Sequence, residues 1–156
     1  MDASQKWGLP PEFSPVRYQI SEEAKIAVRA VLGAEEPVLV SLGNEGDSVA
    51  LVATPGRILT VKTQELGAGT GGAQVKSFPY PGIFDLTLRP QTFNVSFAIE
   101  YRTSDRGRTV EIGRRALMGQ PKTDTLMAFE KVAGEEAFRA LLQLWNWKKM
   151  QAQTDG

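Results

Sequence analysis

GAGTGGAQVKS, residues 67–77, places glycines at the spacing Gly67-x-Gly69-x-x-Gly72, and how this stretch is read decides the fold. The spacing matches a dinucleotide fingerprint. That chemistry requires a helix springing from the glycines, so that unpaired backbone amides and the helix dipole face a pyrophosphate. The chain continues instead as Val75-Lys76-Ser77-Phe78-Pro79-Tyr80, which reads as a strand and does not run on as a helix through Pro79. A Rossmann unit also alternates strands with helices, and this region offers strand after strand. The P-loop pattern fails as well, because Ala73 comes after Gly72 where a lysine and a hydroxyl are needed. The glycines are read as a flexible link between two strands.

Outward from that link, short apolar runs rich in β-branched residues predict seven strands, over 38–42, 48–53, 57–63, 75–80, 83–89, 93–102 and 108–113. In the sixth, Phe93, Val95, Phe97, Ile99 and Tyr101 alternate with Asn94, Ser96, Ala98, Glu100 and Arg102, which sets one row toward a core and the other toward water. Asp105-Arg106-Gly107 then turns the chain into the seventh strand as an antiparallel hairpin. Between the second and third strands, Thr54-Pro55-Gly56 predicts a tight turn, with Pro55 fixing φ and Gly56 taking a positive value.

Helices flank the strands. Ser21 reads as an N-cap with Glu22 and Glu23 in the first turn, and Ala24, Ala27, Val28, Val31 and Leu32 come after it at helical spacing up to Gly33. After Gly134, Phe138, Leu141, Leu142 and Trp145 predict a closing amphipathic helix, with Phe138, Leu142 and Trp145 as its buried stripe and Lys148 and Lys149 near its end. Residues 114–124 read as a loop, and 125–132 fit either strand or helix. The expected organisation is an extended N-terminal arm over 1–19, one domain over 20–150 and a disordered tail over 151–156.

The totals narrow the chemistry. The chain has 156 residues, 42% apolar and 23% charged, which suits one soluble domain with a sizeable core. Lysine plus arginine balances aspartate plus glutamate at 18 each, so no overall field draws nucleic acid or anionic lipid. Cysteine and histidine are both absent, which excludes disulfides, thiolate chemistry, Ser-His-Asp triads and most zinc sites. No cofactor is expected. With no apolar stretch long enough to span a bilayer and no signal-like N-terminus, a cytoplasmic location is expected.

Residues 50–59, ALVATPGRIL, and 75–83, VKSFPYPGI, resemble two segments of the bacterial pleckstrin-homology-like domains, in the same order. The resemblance covers roughly residues 35–144; Pro81-Gly82 stands where that family often has serine or aspartate. It implies an α+β, mainly β fold: bent antiparallel sheets of about seven strands, closed by a C-terminal helix, with a short N-terminal helix. It further implies a non-catalytic assembly or interaction module that self-associates or binds a protein partner. Trp7, Phe13 and Tyr18 on the arm, and Trp147, are candidate interface aromatics, each equally at home in the monomer core.

Eukaryotic relatives of that fold grip inositol phosphates with basic residues in the loop joining the first two strands. Here the loop is Gly43-Asn44-Glu45-Gly46-Asp47, acidic and unsuited to phosphate. Contact with anionic lipid is therefore the alternative reading, with Arg57, Lys62 and Lys76 as candidate anion-binding residues. For Arg57 the favoured reading is structural, as a cap on that turn or a carboxylate's partner, ahead of ligand binding. A carboxylate hydrolase built on Glu22-Glu23, Glu35-Glu36 or Glu135-Glu136 is disfavoured, since sequence neighbours do not converge on one substrate. Nucleic-acid binding through Arg102, Arg106, Arg108, Arg114 and Arg115 is disfavoured by the neutral charge.

Overall fold

The chain after the glycines runs as a strand: Gly72–Pro79 pairs antiparallel with Arg57–Gln64 along its whole length, from Gln64↔Gly72 to Arg57↔Pro79. The computed structural model describes residues 8–44, 46, 48–64, 72–102 and 121–155. In chain order its elements are β1 (Val16–Arg17), α1 (Glu22–Val31), β2 (Val40–Gly43), β3 (Val49–Ala53), β4 (Arg57–Gln64), β5 (Gly72–Pro79), a 3-10 turn (Tyr80–Gly82), β6 (Ile83–Pro90), β7 (Val95–Arg102), β8 (Pro121–Phe129) and α2 (Lys131–Asp155). The glycine link over 65–71, the expected turn at 105–107 and the expected strand over 108–113 lie outside the described residues.

Two sheets form. The first has the order β1-β2-β3-β4-β5, antiparallel throughout except that β1 lies parallel on β2; the second, among the described residues, has the order β6-β7-β8 and is antiparallel. This is the α+β, mainly β architecture that was expected, with a short N-terminal helix and a closing C-terminal one. β3 shows why the first sheet sits where it does. Its sequence, VALVA, is apolar on both faces because Leu51 and Ala53 enter the main core while Ala50 and Val52 meet Ala24 and Val28 of α1. The main core joins those residues to Phe97, Ile99 and Leu126 of the second sheet and to Ala137, Leu141 and Leu144 of α2.

Local chemistry sets the helix ends. The Ser21 hydroxyl accepts the Ala24 N–H at 3.2 Å, and the expected acidic first turn is present. α2 begins earlier than expected, at Lys131, because the Glu130 carboxylate accepts the Ala133 N–H at 2.6 Å and stands in for the usual short cap. Gly134 therefore lies inside the helix. Any Cβ there would run into the Val95 side chain, so glycine marks a close approach of helix and sheet. The ambiguous stretch divides into strand through Phe129 and helix from Lys131. Near that junction the register of β7 and β8 slips between Phe97↔Leu126 and Val95↔Phe129, and Ala128 takes up the extra residue at φ 70°.

Several details depart from expectation. Residues 121–124, read as loop, open β8. Phe93 is 85% exposed at the tip of a turn closed by the Gln91 N–H on the Asn94 carbonyl, so β7 starts only at Val95. Ser96 and Ala98, placed on the wet row, are buried: these small side chains on the middle strand lie between flanking strands whose Arg89, Thr87 and Thr125 stand opposite. Gly56 does not adopt positive φ, because the Thr54 hydroxyl closes the turn by accepting the Gly56 and Arg57 N–H groups. Trp145 is buried as expected, but the buried stripe of α2 centres on Ala137, Ala140, Leu141 and Leu144, with Phe138 and Leu142 only partly buried at its edges. The helix also continues through Asp155, into the stretch expected as a tail.

Candidate functional site

The three basic residues considered for anion binding occupy two polar networks. At the β3–β4 corner, Arg57 Nε donates to Glu36 Oε2 at 2.9 Å and Nη2 to Glu36 Oε1 at 2.8 Å, a two-pronged pairing. Nη2 also donates to the Val31 carbonyl at 2.8 Å and Nη1 to Ser77 Oγ at 3.2 Å. Glu36 further accepts the Thr54 hydroxyl at 2.8 Å and the Gly33 N–H at 3.0 Å. Above all the Arg57 hydrogen bonds, assisted by those of Gly33 and Thr54, hold the Glu36 carboxyl at about 2 against an ordinary 4.5. Beneath this corner the buried Tyr80 hydroxyl donates to the Thr54 carbonyl at 2.7 Å, and burial pushes its phenol well above the ordinary range. Arg57 thus fastens the end of α1 and the Glu36 segment to β4 and β5.

Lys62 and Lys76 converge on one carboxylate. Asp124 of β8 is almost fully buried, with Lys62 Nζ at 3.0 Å and Lys76 Nζ at 3.8 Å from Oδ1, and Thr60 Oγ1 at 3.4 Å from Oδ2. Thr60 and Lys76 stand opposite each other on β4 and β5, so the cluster ties the first sheet to the second. Its cations are engaged with Asp124, which leaves the pair poorly disposed to grip a phosphate. The carboxylate pairs weighed for hydrolysis also scatter: Glu22 meets Lys25, Glu36 meets Arg57, and Glu136 meets Tyr18. Among the described residues no group of three or more acidic side chains gathers to hold a metal. No helix among them is long and apolar enough to cross a membrane.

Of the candidate interface aromatics, Phe13 and Tyr18 lie on the N-terminal arm and Trp147 packs against it from α2. Leu9, Phe13 and Val16 are buried in the main core, and so is Trp147, whose Nε1 donates to the Gly8 carbonyl at 2.9 Å. The arm lies against β2 through the Val16 N–H on the Leu39 carbonyl and the Tyr18 N–H on the Ser41 carbonyl, with the Ser41 hydroxyl returning to the Tyr18 carbonyl. Tyr18 is 37% exposed, and its hydroxyl donates to the Glu136 carboxylate of α2. That bond first, then desolvation and the negative charges of Glu136 and Glu130, raises the Tyr18 phenol above its ordinary value. Trp7 lies outside the described residues, as do Arg106, Arg108, Arg114, Arg115 and the side chain of Arg102.

The sequence reading did not find Asp124, which Lys62 meets across 62 residues; it expected a carboxylate partner for Arg57 but did not name Glu36, 21 residues away. Only the bare charges were there to signal them. It also missed a groove of about 500 Å³ between the arm and α1, with Arg17, Lys25 and Arg29 among its lining.

No protein-family model matches the chain, and no curated protein matches it. Among solved structures it is similar to the crystal structure of a pleckstrin homology domain from Shewanella amazonensis SB2B, at 16% identity over 76% of this chain and 86% of that one, with a TM-score of 0.45. The chain itself is a strand meander that turns at Tyr80–Gly82 into a second sheet, with a C-terminal helix packed against both.

Proposed function

We propose that this chain is a non-catalytic, cytoplasmic interaction module that self-associates by exchanging its N-terminal arm between copies. The observation that carries this reading is how the arm is held. It is a short extended segment added to the edge of β2 by main-chain hydrogen bonds, with apolar side chains filling a prepared slot, which is how a strand from another molecule is received. Moving the same segment to a second copy remakes identical contacts, a low-cost route to a dimer. A protein partner's extended segment on the same edge is the variant of this reading. Attraction to anionic lipid through Arg57, Lys62 and Lys76 is disfavoured by their engagement with Glu36 and Asp124.

Light scattering coupled to size exclusion, run on the intact chain over a wide concentration range, tests it. The expected result is a dimer or larger assembly that dissociates on dilution and is lost when residues 1–19 are removed. A monomer at high concentration removes self-association. Retention on anionic vesicles in physiological salt would favour the lipid reading.

A further inference from the structure

We infer that the groove between the arm and α1 binds a small soluble organic carboxylate with an aliphatic body. α1 covers β3 to β5 on the outer face of the first sheet and leaves the β1–β2 side open, and there a groove of about 500 Å³ remains, a size suited to one small molecule. Its apolar lining is mainly aliphatic: Ile20 before α1, Val28 from α1, Leu32 at its C-cap, Val38 before β2 and Val52 from β3, beside the Tyr18 ring of the arm. Lys25 and Arg29 stand one turn apart on α1, on the same helix face, and Arg17 stands on the arm wall.

The charges are available and of one sign. Among the described residues no acidic side chain lines the groove. Arg17 Nε is fixed by the Val38 carbonyl at 2.9 Å, which holds the guanidinium over the groove and leaves its terminal nitrogens for a ligand. Arg29 is exposed and makes no side-chain hydrogen bond or ion pair among the described residues. Lys25 meets only Glu22, whose side chain is 79% exposed, a surface pair that yields readily to a better partner. Polar reading of the ligand body is limited to the Gln19 amide, since the Ser41 hydroxyl is committed to the Tyr18 carbonyl and the Tyr18 hydroxyl to Glu136. An anionic head with an aliphatic chain fits this distribution, and a nucleotide base does not.

The test uses the full chain with decanoate as probe, by titration calorimetry and by amide chemical shifts. Saturable one-site binding is expected, with shifts at Val28, Leu32 and Val38. Decanol, which lacks the charge, should bind about tenfold more weakly, and so should decanoate to the double variant Lys25→Gln, Arg29→Gln, whose unliganded thermal midpoint stays at the wild-type value. The inference is overturned by an absence of saturable binding at millimolar decanoate, by equal affinity for decanol, or by shifts confined to other faces. Sedimentation with phosphatidylglycerol vesicles that the same two substitutions abolish would assign the groove to a membrane surface and overturn it too. If the arm exchanges, a second copy's arm rebuilds the same wall, so these outcomes do not depend on which copy supplies it.

Discussion

The β3–β4 corner and the N-terminal arm fasten peripheral segments onto the same sheet by opposite means. At the corner a polar network does it: Arg57 reaches Glu36, Val31 and Ser77 while Glu36 collects Thr54 and Gly33. Such a network works in one geometry, and displacing any member leaves shielded polar groups without partners. The arm relies on Leu9, Phe13 and Val16 in an apolar slot and on main-chain bonds along one side. Apolar burial is non-directional, and main-chain pairing is indifferent to which molecule supplies the strand. Under the proposed exchange, the corner stays in place and the arm is the part that moves.

Phe13→Ala is the hardest test of that contrast. Truncating the buried ring should cost about 3 kcal/mol of arm attachment. Hydrogen exchange should then show the Val16 and Tyr18 amides losing protection while those of β3 and β4 keep theirs, because the arm opens as a unit. A loss of protection spread evenly over both sheets would mean that the arm is as integral as the corner, and the contrast would fail.

Glu36→Gln should come next, at about 2 kcal/mol, since it removes the charge from a shielded pairing with Arg57. Its signature is the pH dependence. The folded state holds the carboxyl at about 2 against an ordinary 4.5, so its contribution is complete above pH 4.5 and is lost as the pH falls through about 2. Denaturant titrations should show the variant lacking that part of the acid slope. Tyr80→Phe should cost less, about 1 kcal/mol, by leaving the buried Thr54 carbonyl without its donor, and arm protection should not change.

The corner was half legible in the sequence and the arm's docking was not. Pro79 and the apolar run after the glycines identified β5, and Ser21 with two glutamates identified α1, because those signals are local. The turn was placed at Thr54-Pro55-Gly56, but the Thr54 hydroxyl took the role expected of Gly56, since a side chain that closes a turn removes the need for positive φ. β1 has two residues and a parallel partner 24 positions away, and so short a strand shows no periodicity to read. The early start of α2 was hidden because glutamate served as the cap and because Gly134 answers to Val95, a contact that exists only after folding. Charges at Arg57, Lys62 and Lys76 were visible; their partners depend on the fold bringing Glu36 and Asp124 to them.

Tyr18→Phe sharpens the comparison with the smallest change in stability. The hydroxyl's bond to Glu136 is exposed, so the thermal midpoint should stay at the wild-type value, in contrast to Phe13→Ala. Its effect should fall on the arm alone, as faster exchange of the Tyr18 amide and quicker mixing of labelled subunits. The wild-type hook has a defined pH range. A phenol raised above its ordinary 10 contributes fully below pH 10 and loses that contribution as the pH rises through the folded-state value, so wild type and variant should behave differently at neutral pH and converge in strong alkali. Equal subunit mixing for both proteins at neutral pH would show that the hydroxyl does not restrain the arm, and the apolar slot alone would then set its release.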